Sequence, residues 1–137
     1  MKRQQLKLGI IGCGNLGEAL AAGLIQKGRF RPGEIGFTAR RPSRRSELAK
    51  KYRFRPYSDN KSLARAAPLL LLSVKPHQIR GVLEEISCEI RPSHLVLTVA
   101  AGLDTPFYKR FFPPGTRLIR GMPNTPVGIG RGMTGLF

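Results

Sequence analysis

The chain has 137 residues, of which 41% are hydrophobic and 23% charged, a composition typical of globular proteins that excludes a disordered chain. No run of about 18 apolar residues occurs and no secretory cleavage site follows the N-terminus, so we expect a single soluble, cytoplasmic domain over residues 1–137 without a membrane span. Lys and Arg number 24 against 8 Asp and Glu, and the net charge of +16 attracts polyanions whatever the fold.

The first segment predicts a strand, a glycine turn and a helix. The short apolar run of a buried parallel strand consists of Leu6, Leu8, Ile10 and Ile11. Three glycines, Gly12, Gly14 and Gly17, follow at G-x-G-x-x-G spacing. Such a turn can serve packing alone. Here the preceding strand and the following helix, which would end at Gly28, supply the context that the motif requires. The segment therefore predicts a dinucleotide site, with pyrophosphate at the helix start.

The end of the second predicted strand, Glu34–Ala39, indicates which dinucleotide is bound. NAD-binding folds place an acidic residue about 20 residues past the glycines, to bind the ribose hydroxyls. This chain has Arg40 and Arg41 there, and a guanidinium can grip a 2′-phosphate. We expect NADP, with NADPH preferred over NADH. Alternatively, these arginines are only the edge of a basic face.

A basic stretch runs from Arg40 to Arg55, with eight Lys and Arg residues opposed only by Glu47. Stretches of this kind can bind nucleic acid. No aromatic platform and no helix-turn-helix or zinc-finger spacing accompanies it. A solvated basic face is favoured over specific nucleic-acid binding.

The remaining segments alternate between helices and strands. N-caps are predicted at Asn15, Ser43, Asp59 and Thr105. The predicted elements are a helix over Ser43–Lys51, a short strand near Phe54, a helix from Asp59 to Ala67, a strand over Leu69–Val74, a helix over His77–Ile86, a strand over Leu95–Val99, a helix starting at Thr105 and a strand over Leu118–Arg120. This alternation predicts a Rossmann-like, doubly wound, mostly parallel α/β sheet with helices on both faces.

The cysteines and histidines give no metal-site or disulfide pattern. Cys13 and Cys88 are far apart, and His77 and His94 lack metal-ligand spacing, so we expect no metal. Cys13 lies in the glycine turn, where a small residue fits. A reactive thiol is the alternative, because a helix N-terminus can lower a thiol pKa.

Five motifs occur in order along the chain and together resemble one family. They are Gly12-Cys13-Gly14-Asn15-Leu16, Val74-Lys75-Pro76-His77, Val99-Ala100-Ala101-Gly102-Leu103, Arg120-Gly121-Met122-Pro123-Asn124-Thr125-Pro126 and Gly130-Arg131-Gly132-Met133-Thr134. The set resembles pyrroline-5-carboxylate reductase, the last enzyme of proline biosynthesis. The resemblance covers essentially all 137 residues, and its most specific element is Met-Pro-Asn-Thr-Pro.

The resemblance implies a reductase that transfers hydride from NADPH to the ring C=N of 1-pyrroline-5-carboxylate, its small-molecule substrate, and so forms proline. The implied cofactor-binding residues are Gly12, Cys13, Gly14, Asn15, Leu16 and Gly17 at the pyrophosphate, Thr38, Arg40, Arg41 and Asn60 towards the adenosine phosphate, and Val74, Lys75, Pro76, Ala100, Ala101 and Gly102 along the ribose and nicotinamide. Ala39 stands where many relatives have Asn, and Asn60 can also be read simply as a helix-start residue.

The catalytic residues stay open. Asn124 and Thr125 would border the place where nicotinamide meets substrate. Lys75 is a candidate proton donor, although a lysine between a strand and a proline is better suited to shaping the loop and meeting cofactor oxygens.

Relatives continue past the Gly-x-Thr segment into an all-helical domain that forms the dimer and supplies substrate-binding groups. The sequence here ends at Phe137. A truncated reading frame and a domain that acts alone are both open. For the chain by itself we expect cofactor binding with weak or absent reductase activity, and a homo-oligomer only where the helical domain is present. The alternative function is a stand-alone NADP-binding module.

Overall fold

The computed structural model describes residues 5–123 and 134–136. Within them, seven strands form one sheet in the order β3-β2-β1-β4-β5-β6-β7. The strands are β1 (Leu8–Ile11), β2 (Ile35–Phe37), β3 (Arg55–Pro56), β4 (Leu69–Leu72), β5 (Leu95–Thr98), β6 (Arg117–Pro123) and β7 (Thr134–Leu136). Strands β1 to β6 pair in parallel and β7 pairs antiparallel with β6. The predicted doubly wound, mostly parallel sheet is confirmed.

Five helices connect the strands in the described part of the chain. They are α1 (Asn15–Gln26), α2 (Pro42–Tyr52), α3 (Asn60–Ala66), α4 (Pro76–Ile86) and α5 (Thr105–Lys109), with 3₁₀ turns at Pro32–Glu34 and Ser87–Glu89. Helix α1 ends as predicted, with Gly28 one residue beyond the C-cap Lys27 and in the left-handed region at φ +70°. The positions of the predicted elements agree with these bounds to within a few residues.

The sheet separates two hydrophobic cores, which explains the continuous apolar runs. Ile10 and Leu71 face a core shared with α1 and α2, whereas Ile11 and Leu70 face a core shared with α3, α4 and α5. Neighbouring residues of a strand point to opposite faces, so a strand covered on both faces needs apolar residues at every position. The two cores hold the carboxyl ends of β1 and β4 side by side.

Two helices begin with an aspartate cap. The predicted Asp59 cap of α3 is confirmed, since its carboxylate accepts from the N–H of Ser62 at 2.7 Å. Helix α5 begins one residue earlier than predicted: its cap is Asp104, which accepts from the N–H of Phe107 at 2.9 Å, and Thr105 is the first helical residue. A carboxylate also interacts favourably with the positive end of the helix dipole, which explains its selection over the threonine.

The caps predicted for α1 and α2 are wrong. Gly14 rather than Asn15 is the N-cap of α1, and Arg41 rather than Ser43 is the N-cap of α2; neither makes a side-chain capping bond. Helix α2 starts at Pro42, whose fixed φ suits a first helical position. The open start of α1 lies in the candidate site.

Candidate functional site

A cleft of about 1070 Å³ opens at the carboxyl ends of β1, β2 and β4. Strand β1 lies between β2 and β4, so the order of the strands along the chain reverses there, and such switch points are where doubly wound sheets bind ligands. Ten of the residues predicted from the sequence line the cleft: Gly12, Cys13, Gly14, Asn15, Thr38, Arg40, Arg41, Asn60, Val74 and Lys75.

The other predicted residues are not part of the cleft lining. Gly17 is buried between α1 and the sheet, while Leu16 is exposed on the first turn of α1. Pro76 is the first residue of α4, and residues 100–102 follow the end of β5, one strand beyond β4. Asn124 and Thr125 lie outside the described residues.

The three motif glycines have different surroundings. Gly12 has φ +77°, and a Cβ there would lie 2.2 Å from Cγ1 of Val74. A Cβ on Gly14 would meet nothing within 4 Å, whereas one on Gly17 would lie 3.1 Å from Oγ of Ser73 and 3.2 Å from Cγ2 of Ile10. Gly12 therefore makes the turn, Gly14 leaves the backbone open to the cleft, and Gly17 lets α1 lie close to the sheet.

The first turn of α1 presents backbone N–H groups at the cleft. No side chain caps this end, and the first helical bond runs from the N–H of Glu18 to the carbonyl of Gly14. The N–H groups of residues 15–17 thus have no acceptor within the helix, and the helix dipole adds positive potential. This combination favours an anionic group.

Thr38 fixes the glycine turn from the end of β2. Its carbonyl accepts from the N–H of Cys13 at 2.8 Å, and its Oγ1 accepts from the N–H of Gly12 at 3.2 Å. The Thr38 hydroxyl in turn donates to Oδ1 of Asn60 at 2.7 Å. Thr38 is buried and supports the turn, which its sequence position alone did not indicate.

Arginine side chains give the cleft positive charge beside the glycine turn. Within the described residues, the guanidinium groups of Arg40, Arg41 and Arg45 make no ion pair, and all three residues line the cleft. Arg45 was not among the predicted site residues. Arg45 stands four positions after Arg41, the N-cap of α2. This spacing is about one helical turn, so the two residues lie on the same side of α2.

Arg44 belongs to a different network, which holds α1 against α2. It pairs with Glu18 and Glu47, while Glu18 also accepts from Lys51 at 3.2 Å and from the hydroxyl of Tyr52 at 2.7 Å. Burial raises the pKa of Glu18, but the hydrogen bonds from Tyr52, Arg44 and Lys51 outweigh it and lower the pKa to about 2. Glu18 is therefore ionised over the whole physiological range.

Cys13 is buried, and burial raises the pKa of its thiol to about 12 despite the nearby Arg44. Desolvation outweighs the positive charge of Arg44, and this opposes the reactive-thiol alternative. His94 is also buried: its Nδ1 accepts from the N–H of Arg91 at 2.9 Å, and its Nε2 donates to the carbonyl of Ala64 at 2.9 Å. The surroundings of Cys13 and His94 are therefore those of residues that stabilise the fold.

The described residues contain no group of three or more His, Cys, Asp or Glu side chains able to hold a metal ion. None of their helices combines the length and apolar character needed to cross a bilayer.

A doubly wound sheet with a glycine turn and an open helix start at its switch point defines a Rossmann domain of the dinucleotide-binding class. The model of the family described as "NADP oxidoreductase coenzyme F420-dependent" matches residues 7–102. The chain belongs to this family of oxidoreductases.

Curated relatives carry the name that the motifs suggested. Pyrroline-5-carboxylate reductase of Escherichia coli (strain K12) is 34% identical over 128 residues, which are 93% of this chain and 48% of that protein. The Synechocystis enzyme of the same name is 38% identical over 132 residues, 96% of this chain and 48% of that protein. The predicted resemblance is confirmed, and the chain spans about half the length of the curated relatives it matches.

Solved structures agree with this result. A pyrroline-5-carboxylate reductase from Coxiella burnetii matches with a TM-score of 0.88 and 32% identity, covering 98% of this chain and 50% of that one. A pyrroline carboxylate reductase from Plasmodium falciparum, solved with NADP bound, matches with a TM-score of 0.83 over 99% of this chain and 49% of that one. At 24% identity, this structural match shows the shared fold alone.

Proposed function

We propose that the chain is a single NADP-binding domain of a reductase that converts 1-pyrroline-5-carboxylate to proline with NADPH. One observation carries the cofactor assignment: a glycine turn that is open at Gly14 lines one cleft together with the guanidinium groups of Arg40, Arg41 and Arg45, none of which forms an ion pair within the described residues. The substrate assignment rests on the named relatives.

The cleft residues fit the two charged parts of NADP. The uncapped start of α1 and the open backbone at Gly14 suit a pyrophosphate. Arg40 and Arg41, both exposed at the end of β2, suit a 2′-phosphate because guanidinium groups bind phosphate with paired, charge-assisted hydrogen bonds. The ribose and nicotinamide would extend along Val74–Pro76 and residues 100–102.

Bound NADPH supplies a hydride to the imine carbon, and the protein's own contribution is positioning together with a proton for the imine nitrogen. Lys75 lines the cleft, but it is exposed and its backbone N–H is bound by Oε1 of Gln78 at 3.2 Å. We assign Lys75 to the cofactor oxygens rather than to the proton. Asn124 and Thr125 stay predicted neighbours of nicotinamide and substrate.

A titration with NADPH and NADH tests the cofactor assignment. We expect tighter binding of NADPH, with a preference that shrinks about tenfold or more in the Arg40→Ala, Arg41→Ala variant, because one or two charge-assisted bonds are lost. The Lys50→Ala, Arg53→Ala variant removes the same charge outside the cleft and should keep the preference. Equal affinity of the unmodified chain for both dinucleotides would refute the 2′-phosphate assignment.

A second candidate is an NADP-binding module without catalysis of its own, because the residues that line the described cleft suit the cofactor and none of them is assigned to the imine proton. Assaying the chain for reduction of 1-pyrroline-5-carboxylate, alone and with an added helical domain of a relative, separates the two. Turnover in either assay supports the reductase, and cofactor binding without turnover in both supports the module.

The free thiols of Cys13 and Cys88 suit a reducing compartment, and we place the protein in the cytoplasm.

A further inference from the structure

Glu85 is an exposed carboxylate on α4 that lines the cleft. A negative charge there repels a phosphate-bearing cofactor, so its presence needs an explanation. Both carboxylate oxygens are bound to one residue: Oε1 accepts from the backbone N–H of Asn60 at 3.3 Å, and Oε2 accepts from Nδ2 of Asn60 at 2.9 Å. Glu85 therefore holds the first residue of α3 at two points.

These bonds continue to the glycine turn. With Nδ2 of Asn60 turned towards Glu85, Oδ1 faces Thr38 and accepts from its hydroxyl at 2.7 Å. The Thr38 Oγ1 then accepts from the N–H of Gly12 at 3.2 Å. We call these residues the Glu85–Asn60–Thr38 network. It joins α4, the start of α3 and the end of β2 to the turn after β1.

The direction of every bond in the Glu85–Asn60–Thr38 network is fixed by its two ends. A carboxylate can only accept and a backbone N–H can only donate, so the amide of Asn60 and the hydroxyl of Thr38 each have one orientation that satisfies all partners. Removing the carboxylate frees Asn60 to rotate its amide, and the Thr38 hydroxyl then loses its defined acceptor. The Thr38 Oγ1 that accepts from the N–H of Gly12 is then held less firmly in place.

We propose that Glu85 is a positioning residue for the dinucleotide site, acting through Asn60 and Thr38 to hold the glycine turn in its binding conformation. The proposal rests on the proposed cofactor and extends it, because it assigns Asn60 an indirect role. It makes Glu85 favourable for binding NADPH although its charge is repulsive.

The sign of the effect on NADPH binding distinguishes this role from simple electrostatics. Glu85→Ala should weaken NADPH binding about five- to tenfold, the size expected from losing one or two hydrogen bonds. Glu85→Gln, which can still accept one bond, should weaken it less. If Glu85 acted by charge alone, both variants would bind NADPH more tightly. The matched control is Glu84→Gln, which removes the same charge one residue away, where within the described residues the Glu84 side chain pairs with Arg80 alone, at 3.7 Å. The NADPH affinity of this variant should stay unchanged or rise slightly.

Amide hydrogen exchange without cofactor tests the network directly. Glu85→Ala should speed exchange at Gly12 and leave Ser62, protected by the Asp59 cap, unchanged; unchanged exchange at Gly12 overturns the proposal. Thr38→Val gives a second variant, and its effect on NADPH affinity should not add to that of Glu85→Ala. Additive effects also overturn it. An unmodified chain that fails to bind NADPH refutes the proposed function, while the exchange experiment still decides the role of Glu85.

Discussion

Gly12 and Val74 touch so closely that no side chain fits between them, since a Cβ on Gly12 would lie 2.2 Å from Cγ1 of Val74. The contact joins the turn after β1 to the loop after β4, the two strands that flank the switch point. It therefore links the packing of the sheet to the shape of the cleft.

The Gly12→Ala substitution should destabilise the fold. The contact with Val74 and the φ of +77° together predict a loss of about 2–4 kcal/mol in the free energy of unfolding, from overpacking and left-handed strain. Gly14→Ala is the matched variant, because its φ of −86° suits alanine and its Cβ meets nothing. It should keep its stability but bind NADPH more weakly. Urea unfolding and NADPH titration check both, and equal stability of the two variants would contradict the prediction.

Glu18 should make stability depend on pH. Its pKa in the fold, about 2, lies below the ordinary value of 4.5, so its stabilising contribution is complete above about pH 5 and is lost as the pH falls towards 2. At pH 7, Glu18→Gln should cost about 1–2 kcal/mol after allowance for solvent screening. Urea unfolding between pH 7 and pH 3 should show the difference from the unmodified chain shrinking as the pH falls.

Glu47 provides the control for this experiment, since it is more exposed and, within the described residues, its side chain pairs with Arg44 alone. Glu47→Gln should change the stability by less than about 0.5 kcal/mol. A Glu18→Gln effect that is the same at every pH would mean that the loss comes from packing rather than from the charge.

Cys13 should be unreactive in the folded protein. Its burial and a pKa raised to about 12 leave almost no thiolate near neutral pH, whereas Cys88 is exposed. Iodoacetamide should label one cysteine in the folded chain and both in urea. In the Cys88→Ser variant no label should enter before unfolding, and rapid labelling of that variant would revive the reactive-thiol alternative.

Tyr108 should contribute a buried hydrogen bond that holds α5 on β5. Its hydroxyl lies 2.8 Å from Oγ1 of Thr98, and the ring is fully buried. Tyr108→Phe should lower the free energy of unfolding by about 1 kcal/mol, measured by urea unfolding. Tyr57→Phe is the control, because the Tyr57 hydroxyl makes no hydrogen bond within the described residues; an equal loss in both variants would contradict the assignment.

Local sequence patterns predicted the presence of each helix and strand better than the residue at which each one begins. Apolar runs such as Leu69–Leu72 identified buried strands, because hydrophobic burial on both faces leaves a direct mark on the sequence. The helix starts were less certain. At α5 two adjacent residues could serve as cap and Asp104 is used, and at α1 the expected cap Asn15 is displaced by Gly14.

The sequence by itself determined the doubly wound fold, the glycine turn and the basic end of β2, since each depends on residues close together in the chain. Only the tertiary structure decided which of the predicted residues meet in one cleft. It also showed that Thr38 supports the glycine turn from the end of β2. It also revealed Glu85, which no local pattern marks, because its partner Asn60 stands 25 positions away and on another helix. Contacts of that kind arise when packing of the sheet and helices brings distant segments together.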